Sequence, residues 1–194
     1  MPPALSTRLE TPRFVIRPPK GDDARAIIAA LKRNAEHLAP WSPAGVVGPQ
    51  ARTAVRISAA IAEARRNWGK DTQYNLYVFD REDATTILGR INLPVTRGAF
   101  QNAYVGDWCD HARQGTGLMT ECLSAAIDFG FGPLALHRIQ AAIMPRNGAS
   151  IRVVEKLGFR NEGLAARYLQ IAGVWEDHVI YARTVEERAT PPAR

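Results

Sequence analysis

The segment Arg113–Gly117 places an arginine and two glycines between a predicted strand and a predicted helix that begins at Leu118. The first turn of a helix carries backbone N–H groups without intrahelical partners and the positive end of the helix dipole. Glycines let such a backbone approach a phosphate closely, so the segment is suited to bind a pyrophosphate. It has neither the Gly-Lys-Ser/Thr of a Walker loop nor the third glycine of a Rossmann fingerprint. A tight strand-to-helix turn without a ligand has the same features, and both interpretations stay open.

A second helix start carries polar groups that belong to the same argument. Asn147 follows the predicted strand His137–Ile143, and Ser150 lies in the first turn of the next helix. Helix starts that follow neighbouring strands converge at one edge of an open sheet, where ligands bind. The alternative is a plain helix cap at Asn147 and an ordinary polar residue at Ser150.

Two further segments combine aromatic and polar residues. Trp175 and Asp177 share one face of a predicted strand that also contains His178. The segment His37–Trp41 lies between the first two predicted helices, where it would form a substrate lid. A packed aromatic beside a hydrogen-bonded acid, and an aromatic that anchors a loop, explain these segments equally well.

The elements that position these segments alternate between the two periodicities of secondary structure. Apolar alternation and turn residues predict seven strands, and helical periodicity predicts about four helices. This order predicts an α/β (α+β) protein with a mixed sheet flanked by helices. The predicted strands are 13–17, 74–79, 86–95, 103–110, 137–143, 159–171 and 174–184, and the helices begin near residues 22, 49, 118 and 147.

Length and composition bound the class of protein. The 194 residues suit one domain, 1–194, with a core from about 8 to 184 and loose ends at 1–5 and 186–194. No apolar stretch is long enough for a membrane span, and residues 1–9 lack the apolar part of a signal peptide. The two cysteines, Cys109 and Cys122, lie in one strand-to-helix unit, which disfavours a disulfide and favours a cytoplasmic protein.

The net charge of +6 favours anionic partners such as nucleic acid, the ribosome or a phosphorylated cofactor. The arginines and lysines are dispersed along the chain, without zinc-finger spacing or an aromatic RNA-binding motif. We therefore expect no direct contact with nucleic acid, and no membrane partner.

In this combination and order, the segments resemble the GNAT superfamily, and within it the ribosomal-protein N-terminal acetyltransferases of the RimJ/RimL type. The resemblance extends from about Arg8 to Thr184. The matching stretches are Leu9–Arg13, Ile16–Pro18, Asn34 with His37–Trp41, Arg97–Phe100, Gly115–Glu121, His137–Arg138, Met144–Asn147 with Ser150, Glu155–Phe159, Tyr168 and Gly173–His178.

The resemblance implies a mostly antiparallel seven-stranded sheet and acetyl-CoA in a cleft where strands 103–110 and 137–143 splay apart. Backbone groups of Trp108, Cys109 and Asp110 would hold the acetyl and pantetheine parts. Asn147 would contact the pantetheine arm, and Ser150 would lie near the thioester sulfur. The pyrophosphate would be bound by N–H groups of Gln114, Gly115, Thr116, Gly117, Leu118 and Met119.

The chain departs from the family pattern at four positions. One is Asp107, where relatives often carry an aromatic residue after the glycine of the central strand. Ala112 replaces an arginine or glutamine before the glycine turn, which leaves Arg113 to supply the charge. Thr116 replaces a basic residue between the glycines, so pyrophosphate binding should depend more on backbone groups. Val154 stands where some relatives have a tyrosine acid, and Ser150 is the substitute candidate.

The implied reaction is direct attack of a neutral amine on the thioester, with coenzyme A as product and no metal. A protein α-amine has a pKa of about 7.7–8.0 and a lysine about 10.4, so an α-amine is more readily neutral at pH 7. Asp107 is the candidate base, and Asp177 is the reserve candidate. If the strand face of Asp107 is buried, the pKa of Asp107 would be raised; if that face is exposed to solvent, Asp107 would be an ordinary surface acid. Candidate residues around the acceptor are Trp41, Phe100, Tyr168, Trp175 and Asp177.

The expected acceptor is therefore a protein N-terminus, with a ribosomal protein as the implied substrate and a homodimer as the implied assembly. A small amine, such as an antibiotic or polyamine, is the alternative on the same fold. A third interpretation is a non-catalytic module that binds the ribosome or RNA.

Overall fold

Runs of β-branched and aromatic residues form one continuous sheet in the computed structural model, which describes residues 1–46 and 48–188. The strand order is β1-β2-β3-β4-β5-β7-β9-β8, with β6 also paired to β4. Every pairing is antiparallel except the parallel pair β5–β7. The strands are β1 (Leu9–Glu10), β2 (Phe14–Arg17), β3 (Gln73–Asp80), β4 (Ile87–Thr96), β5 (Asn102–Tyr104), β6 (Gly106–Cys109), β7 (Arg138–Ile143), β8 (Arg160–Ile171) and β9 (Val174–Thr184).

Five α-helices cover the two faces of the sheet in the described chain. They are α1 (Ala24–Arg33), α2 (Ala35–Leu38), α3 (Ala54–Gly69), α4 (Leu118–Phe131) and α5 (Gly148–Lys156). Helices α4 and α5 pack on one face, where Leu123, Val154 and Ile139 belong to the larger hydrophobic cluster. Helices α1 and α3 pack on the other face, around Phe79 and Ile87.

The mixed, mostly antiparallel sheet is confirmed, and its seven predicted strands are all present. The structure adds the short strand β1 and divides the predicted strand 103–110 into β5 and β6; it also adds the four-residue helix α2. The prediction that Pro49 begins a helix is wrong. Pro49–Arg52 form a separate 3-10 turn, and Thr53 caps α3 by accepting a hydrogen bond from Arg56 N at 3.4 Å. Of the predicted loose end 186–194, residues 189–194 lie outside the described residues.

The break between β5 and β6 has a cause in β4. Both segments keep the same register with β4, which places Pro94 opposite Tyr104 and Leu93 opposite Val105. Proline has no N–H to donate to the ladder, so the pairing is interrupted there. Beyond this point the strand leaves β7: Val105 N still donates to Gln140 O at 2.7 Å, whereas β6 pairs only with β4 among the described strands. The predicted splay between these strands is confirmed.

Candidate active site

The gap between β6 and β7 exposes unpaired backbone groups. Asp110 N donates to Leu88 O at 2.8 Å. Because antiparallel pairs alternate between hydrogen-bonded and non-hydrogen-bonded residues, Trp108 also directs its backbone towards β4, opposite Arg90. Asp107 and Cys109 therefore direct their N–H and C=O groups into the gap.

This alternation corrects two predicted backbone contacts. The backbone groups of Trp108 face the β4 ladder, and the Asp110 carbonyl already accepts from Arg113 N at 2.9 Å. Of the three residues predicted to hold the acetyl and pantetheine parts, only Cys109 presents its backbone to the gap. Asp107, which was expected to act through its side chain alone, also does so.

The turn before α4 opens its amides to solvent. Gly115 and Gly117 have φ angles of 72° and 80°, a region that favours glycine. The first bond inside α4 runs from Glu121 N to Gly117 O at 3.0 Å. The N–H groups from Gly115 to Thr120 have no hydrogen-bond partner among the described residues. Gln114 is different, because its N–H donates to His111 O at 3.3 Å and its side chain lies 3.3 Å from a ring nitrogen of His37.

Arg13 fixes the orientation of this turn. Its guanidinium donates to Thr116 O at 3.1 Å and to a Glu121 carboxylate oxygen at 2.8 Å. The Thr116 hydroxyl donates to Arg113 O at 2.8 Å. The carbonyls of the turn are thus held by neighbouring groups, and the amides remain directed outwards.

A groove of about 360 Å³, here called the α4 groove, joins this turn to β6 and α5. Six of the residues predicted to bind the cofactor line it: Cys109, Gln114, Gly115, Gly117, Leu118 and Met119. Arg113 and Thr120 complete the α4 side of the groove. Helix α5 contributes the opposite wall through Ala149, Arg152, Val153 and Lys156. Arg113, Arg152 and Lys156 make the groove cationic, which suits a ligand with several phosphates.

The end of β6 is fixed by a buried carboxylate. The Asp110 side chain accepts from Arg33 Nε at 2.6 Å, from Asn34 Nδ2 at 3.0 Å and from Ala112 N at 3.0 Å. Burial opposes ionisation, but the hydrogen bonds from Asn34 and Arg33 outweigh it and lower the pKa of Asp110. Asp110 therefore positions the strand end that precedes the α4 turn, and its side chain is fully engaged.

The start of α5 lies at the same edge of the sheet, after β7. Asn147 Oδ1 accepts from Ser150 N at 3.2 Å, which is the plain helix cap considered from the sequence. The Ser150 hydroxyl is partly buried and has no hydrogen-bond partner among the described residues. Neither side chain lines the α4 groove itself, because the groove follows the other side of α5.

Asp107 and Cys109 share one face of β6, as strand alternation predicted, and Cys109 places that face on the α4 side of the sheet. The Asp107 side chain is exposed to solvent in the open gap, yet desolvation by the protein around it raises the pKa of its carboxyl to about 6. Burial, and to a smaller extent the charges of Asp107 and Asp110, raises the pKa of the Cys109 thiol to about 11. The thiol is therefore neutral near pH 7 and unsuited to act as a nucleophile.

A second cavity, here called the α3 cavity, lies on the opposite face of β6. Its volume is about 370 Å³, and α1, α3 and the loop before α3 form its walls. Tyr77, Arg90 and Trp108 form its floor on β3, β4 and β6. The two cavities thus flank the same strand, with the gap beside them.

The predicted acceptor residues do not form one cluster. Trp41 directly precedes Ser42, a residue that lines the α3 cavity. Arg146 stacks over the Trp41 ring at 5.2 Å and also donates to Glu176 Oε1 at 2.7 Å. Tyr168 packs against the His178 ring at 5.4 Å. Alternation along β9 places Trp175 and Asp177 on the α5 side instead, with Val179 and Tyr181, and Asp177 Oδ1 accepts from Arg167 N at 2.7 Å.

The structure separates Phe100, the fifth predicted acceptor residue, from the gap. Phe100 is 69% exposed in the turn between β4 and β5, at the far end of these strands from the gap. Six residues separate it from Gly106, which corresponds to roughly 20 Å of extended chain. Its neighbour Arg97 ties this turn to Asp71 and to Leu134 O.

Sequence reasoning missed Arg152, Lys156 and Arg90. Arg152 and Lys156 are four residues apart, so they share one face of α5, and this spacing was the signal that could have found them. Arg90 looks like a solvent-facing residue of an alternating strand. Only the position of α3 over β4 shows that it lines a cavity.

Comparisons with known proteins agree with this architecture. Residues 13–160 match the family model described as acetyltransferase (GNAT) domain. The [ribosomal protein uS5]-alanine N-acetyltransferase of Escherichia coli is 33% identical over 181 residues, 93% of this chain and 92% of that protein. The chain therefore belongs to the GNAT acetyltransferase family and is an acetyltransferase.

Two solved structures place the chain near the RimJ branch of that family. The ribosomal-protein-S5-alanine acetyltransferase of Vibrio fischeri superposes with a TM-score of 0.86 at 32% identity, covering 92% of this chain and 97% of that one. Mycobacterium smegmatis RimJ, in complex with CoA-disulfide, superposes with a TM-score of 0.85 at 29% identity, covering 91% and 84%. The resemblance inferred from the sequence motifs is confirmed.

Residues 1–46 and 48–188 contain neither a candidate membrane span nor a candidate metal site. No helix there combines the length and the apolar character that a membrane crossing requires. No three side chains of histidine, cysteine, aspartate or glutamate are grouped so that they could hold a metal ion.

Proposed function

We propose that the protein transfers the acetyl group of acetyl-CoA to the N-terminal α-amine of a protein, with a ribosomal protein as the acceptor. The observation that carries the proposal is the run of unpaired amides from Gly115 to Thr120, which leads into a gap where Cys109 presents a free strand edge. A helix N-terminus with open amides suits a diphosphate, and an unpaired strand edge suits the amide groups of pantetheine. RimJ-type relatives support the acceptor.

The residues that line the α4 groove have the chemistry needed to bind the phosphates of coenzyme A. Backbone amides would bind the pyrophosphate, and Arg113, Arg152 and Lys156 would neutralise the remaining phosphate charge. The backbone groups of Asp107 and Cys109 would bind pantetheine across the gap in the manner of a β-strand. The N–H of Cys109 would also polarise the thioester carbonyl, because it is directed into the gap without a protein partner.

In the reaction, the amine nitrogen bonds to the thioester carbon and the carbon–sulfur bond breaks. Asp107 takes the proton of the attacking amine, directly or through a water molecule. A pKa of about 6 leaves most of this carboxyl ionised at pH 7 and still able to accept a proton. The Ser150 hydroxyl donates a hydrogen bond to the leaving thiolate. The high pKa of Cys109 argues for direct attack over an acyl-enzyme.

The modest basicity of this site favours an α-amine over a lysine. The pKa values of about 8 and about 10.4 differ by roughly 2.5 units, which is about 3.4 kcal/mol in the cost of forming the neutral amine. A carboxylate with a pKa of about 6 can accept a proton from an α-amine more readily than from a lysine. A ribosomal acceptor would also place the protein in the cytoplasm. We expect a homodimer there, and sedimentation velocity would test it.

The test is a measurement of coenzyme A release with a panel of acceptors. The panel contains peptides with free N-terminal alanine or serine, the same peptides with a blocked N-terminus and an internal lysine, spermidine, and an aminoglycoside. We expect turnover only with free N-termini, and mass spectrometry of the product should place the acetyl group on the first residue. Turnover confined to the small amines would overturn the proposed acceptor. Salt-sensitive RNA binding without acetyl-CoA binding would instead indicate a non-catalytic module.

A further inference from the structure

The floor of the α3 cavity contains a guanidinium without a counter-charge. Arg90 is partly buried and donates one hydrogen bond, from NH2 to Asn75 Oδ1 at 2.7 Å. Its Nε atom is buried and has no partner. Among the described residues no carboxylate forms an ion pair with Arg90, although Glu63 of α3 lines the same cavity.

Three other arginines with buried or half-buried side chains form ion pairs. Arg17 pairs with Asp23 at 2.7 Å and Arg97 with Asp71 at 2.5 Å, and Arg138 pairs with Glu162. A buried charge without a partner is costly, so proteins usually pair it.

Among the described residues, Arg183 also lacks an ion pair and has a buried Nε without a partner, but it donates to two backbone carbonyls, Leu157 O at 2.9 Å and Glu187 O at 3.4 Å. Arg90 donates to a single amide oxygen and lies in a cavity, where a ligand can supply the negative charge.

The residues beside Arg90 favour the same kind of ligand. Tyr77 lines the cavity, and burial raises the pKa of its hydroxyl, although Arg90 opposes the shift. The hydroxyl therefore stays protonated and can donate. Neither it nor the Trp108 indole N–H has a hydrogen-bond partner among the described residues. Arg90, Tyr77 and Trp108 thus offer donors to a cavity of about 370 Å³, whose lining also includes the donors Ser42 and Arg56, and an oxygen-rich anion complements this set.

The distance between Arg90 and the gap limits which residue of the acceptor can carry that anion. Arg90 is opposite Trp108, and the gap begins on the other side of β6. Two strand spacings separate Arg90 from the reacting atoms, roughly 10 Å. An extended peptide rises about 3.3 Å per residue, so this distance corresponds to roughly three residues.

We propose that Arg90 determines acceptor specificity by binding a carboxylate side chain at the second, third or fourth residue of the acceptor peptide. This inference rests on the proposed peptide acceptor. Arg90 does not touch the reacting atoms, so its role is recognition. A planar guanidinium binds a carboxylate through two parallel hydrogen bonds, which lysine cannot reproduce.

The experiment compares peptide pairs that differ only by Glu or Gln at residue two, three or four. For each protein variant, kcat/KM is measured for both members of a pair, and the Glu/Gln ratio is the readout. We expect the wild-type protein to prefer Glu roughly 10- to 100-fold at one of these positions, the range for a charge-assisted hydrogen bond. Arg90→Gln should reduce the ratio to about one, mainly through loss on the Glu peptide, and Arg90→Lys should give an intermediate value. Arg66→Gln, an exposed charge on α3, is the matched control and should keep the wild-type ratio.

The ratio is internal to each variant, so partial unfolding of a variant does not change it, and Arg90→Lys provides the test if Arg90→Gln does not fold. A wild-type ratio near one at all three positions overturns the inference while the proposed function stands. A Glu/Gln ratio that keeps its wild-type value after substitution of Arg90 also overturns the inference while the proposed function stands. Failure of every peptide in the panel overturns both the peptide acceptor and this inference.

Discussion

The α4 groove and the α3 cavity flank the same strand, β6, but they are built from different parts of the chain. The groove presents backbone amides from Gly115 to Thr120, held by Arg13. The cavity presents side chains, with Arg90 and Tyr77 on its floor and helices and loops around them. One site is therefore determined by the conformation of the chain and the other by the identity of its residues.

This difference corresponds to what each site would bind. A backbone site recognises a constant group, such as a diphosphate, and tolerates change in its side chains. A side-chain site changes its preference with a single substitution, which suits an acceptor that varies between related enzymes. Substitutions in the groove should therefore alter acetyl-CoA affinity without altering peptide preference, and substitutions in the cavity should do the reverse. Residues at the gap between them should affect turnover alone.

The largest expected effect is at the gap, where Asp107→Asn removes the proposed base. We expect kcat to fall about 10²- to 10⁴-fold, the usual contribution of general base catalysis, with little change in acetyl-CoA affinity. In the wild-type protein kcat/KM should decrease as the pH falls through about 6, because the carboxyl becomes protonated. The variant should lack this inflection and keep only the one that belongs to the acceptor amine.

The same substitution gives an independent check on the environment of Asp107. Folding raises the pKa of this carboxyl from 3.8 to about 6, so the folded protein is destabilised as the pH rises through that interval and the carboxyl ionises. Asp107→Asn should then melt at a higher temperature than the wild-type protein above pH 6, and the difference should shrink towards pH 4. Equal melting temperatures across this range, or a wild-type pH profile in the variant, would show that Asp107 is an ordinary surface acid.

The second effect concerns the groove. Gly117→Val places a β-branched residue at a φ of 80° and should disturb the amides of the first turn of α4. We expect acetyl-CoA to bind roughly 10- to 100-fold more weakly in calorimetry, because backbone strain there is about 1–3 kcal/mol. Gly98→Val is the matched control, with a φ of 74° and open space around it at the far end of the sheet. Equal affinities in the two variants would contradict a backbone-built site.

The two regions also differ in how far the sequence predicted them. The groove was predictable because glycines and helix caps act on their neighbours: the positions of Leu118 and Asn147 were correct from local signals. The interruption of the strand at Val105 depends on Pro94, a residue of another strand, and needs the register between them. The floor of the cavity was missed because Arg90 becomes enclosed only when α3 packs over β4. Phe100 shows the opposite case: its aromatic character suggested a place in a pocket wall, but the structure leaves it exposed on the surface.

The smallest expected effect is that of Ser150→Ala, which removes the hydroxyl proposed to assist the leaving thiolate. A thiol has a pKa of about 8.5, so its thiolate needs little assistance at neutral pH, and we expect kcat to fall less than about tenfold. Acetyl-CoA affinity should not change, because Ser150 lies outside the α4 groove and its cap to Asn147 uses the backbone N–H, which alanine retains. Ser124→Ala, an exposed serine of α4, is the control. Weaker acetyl-CoA binding with normal turnover would move Ser150 from the reaction to the binding of pantetheine, and unchanged values of both would remove it from the site.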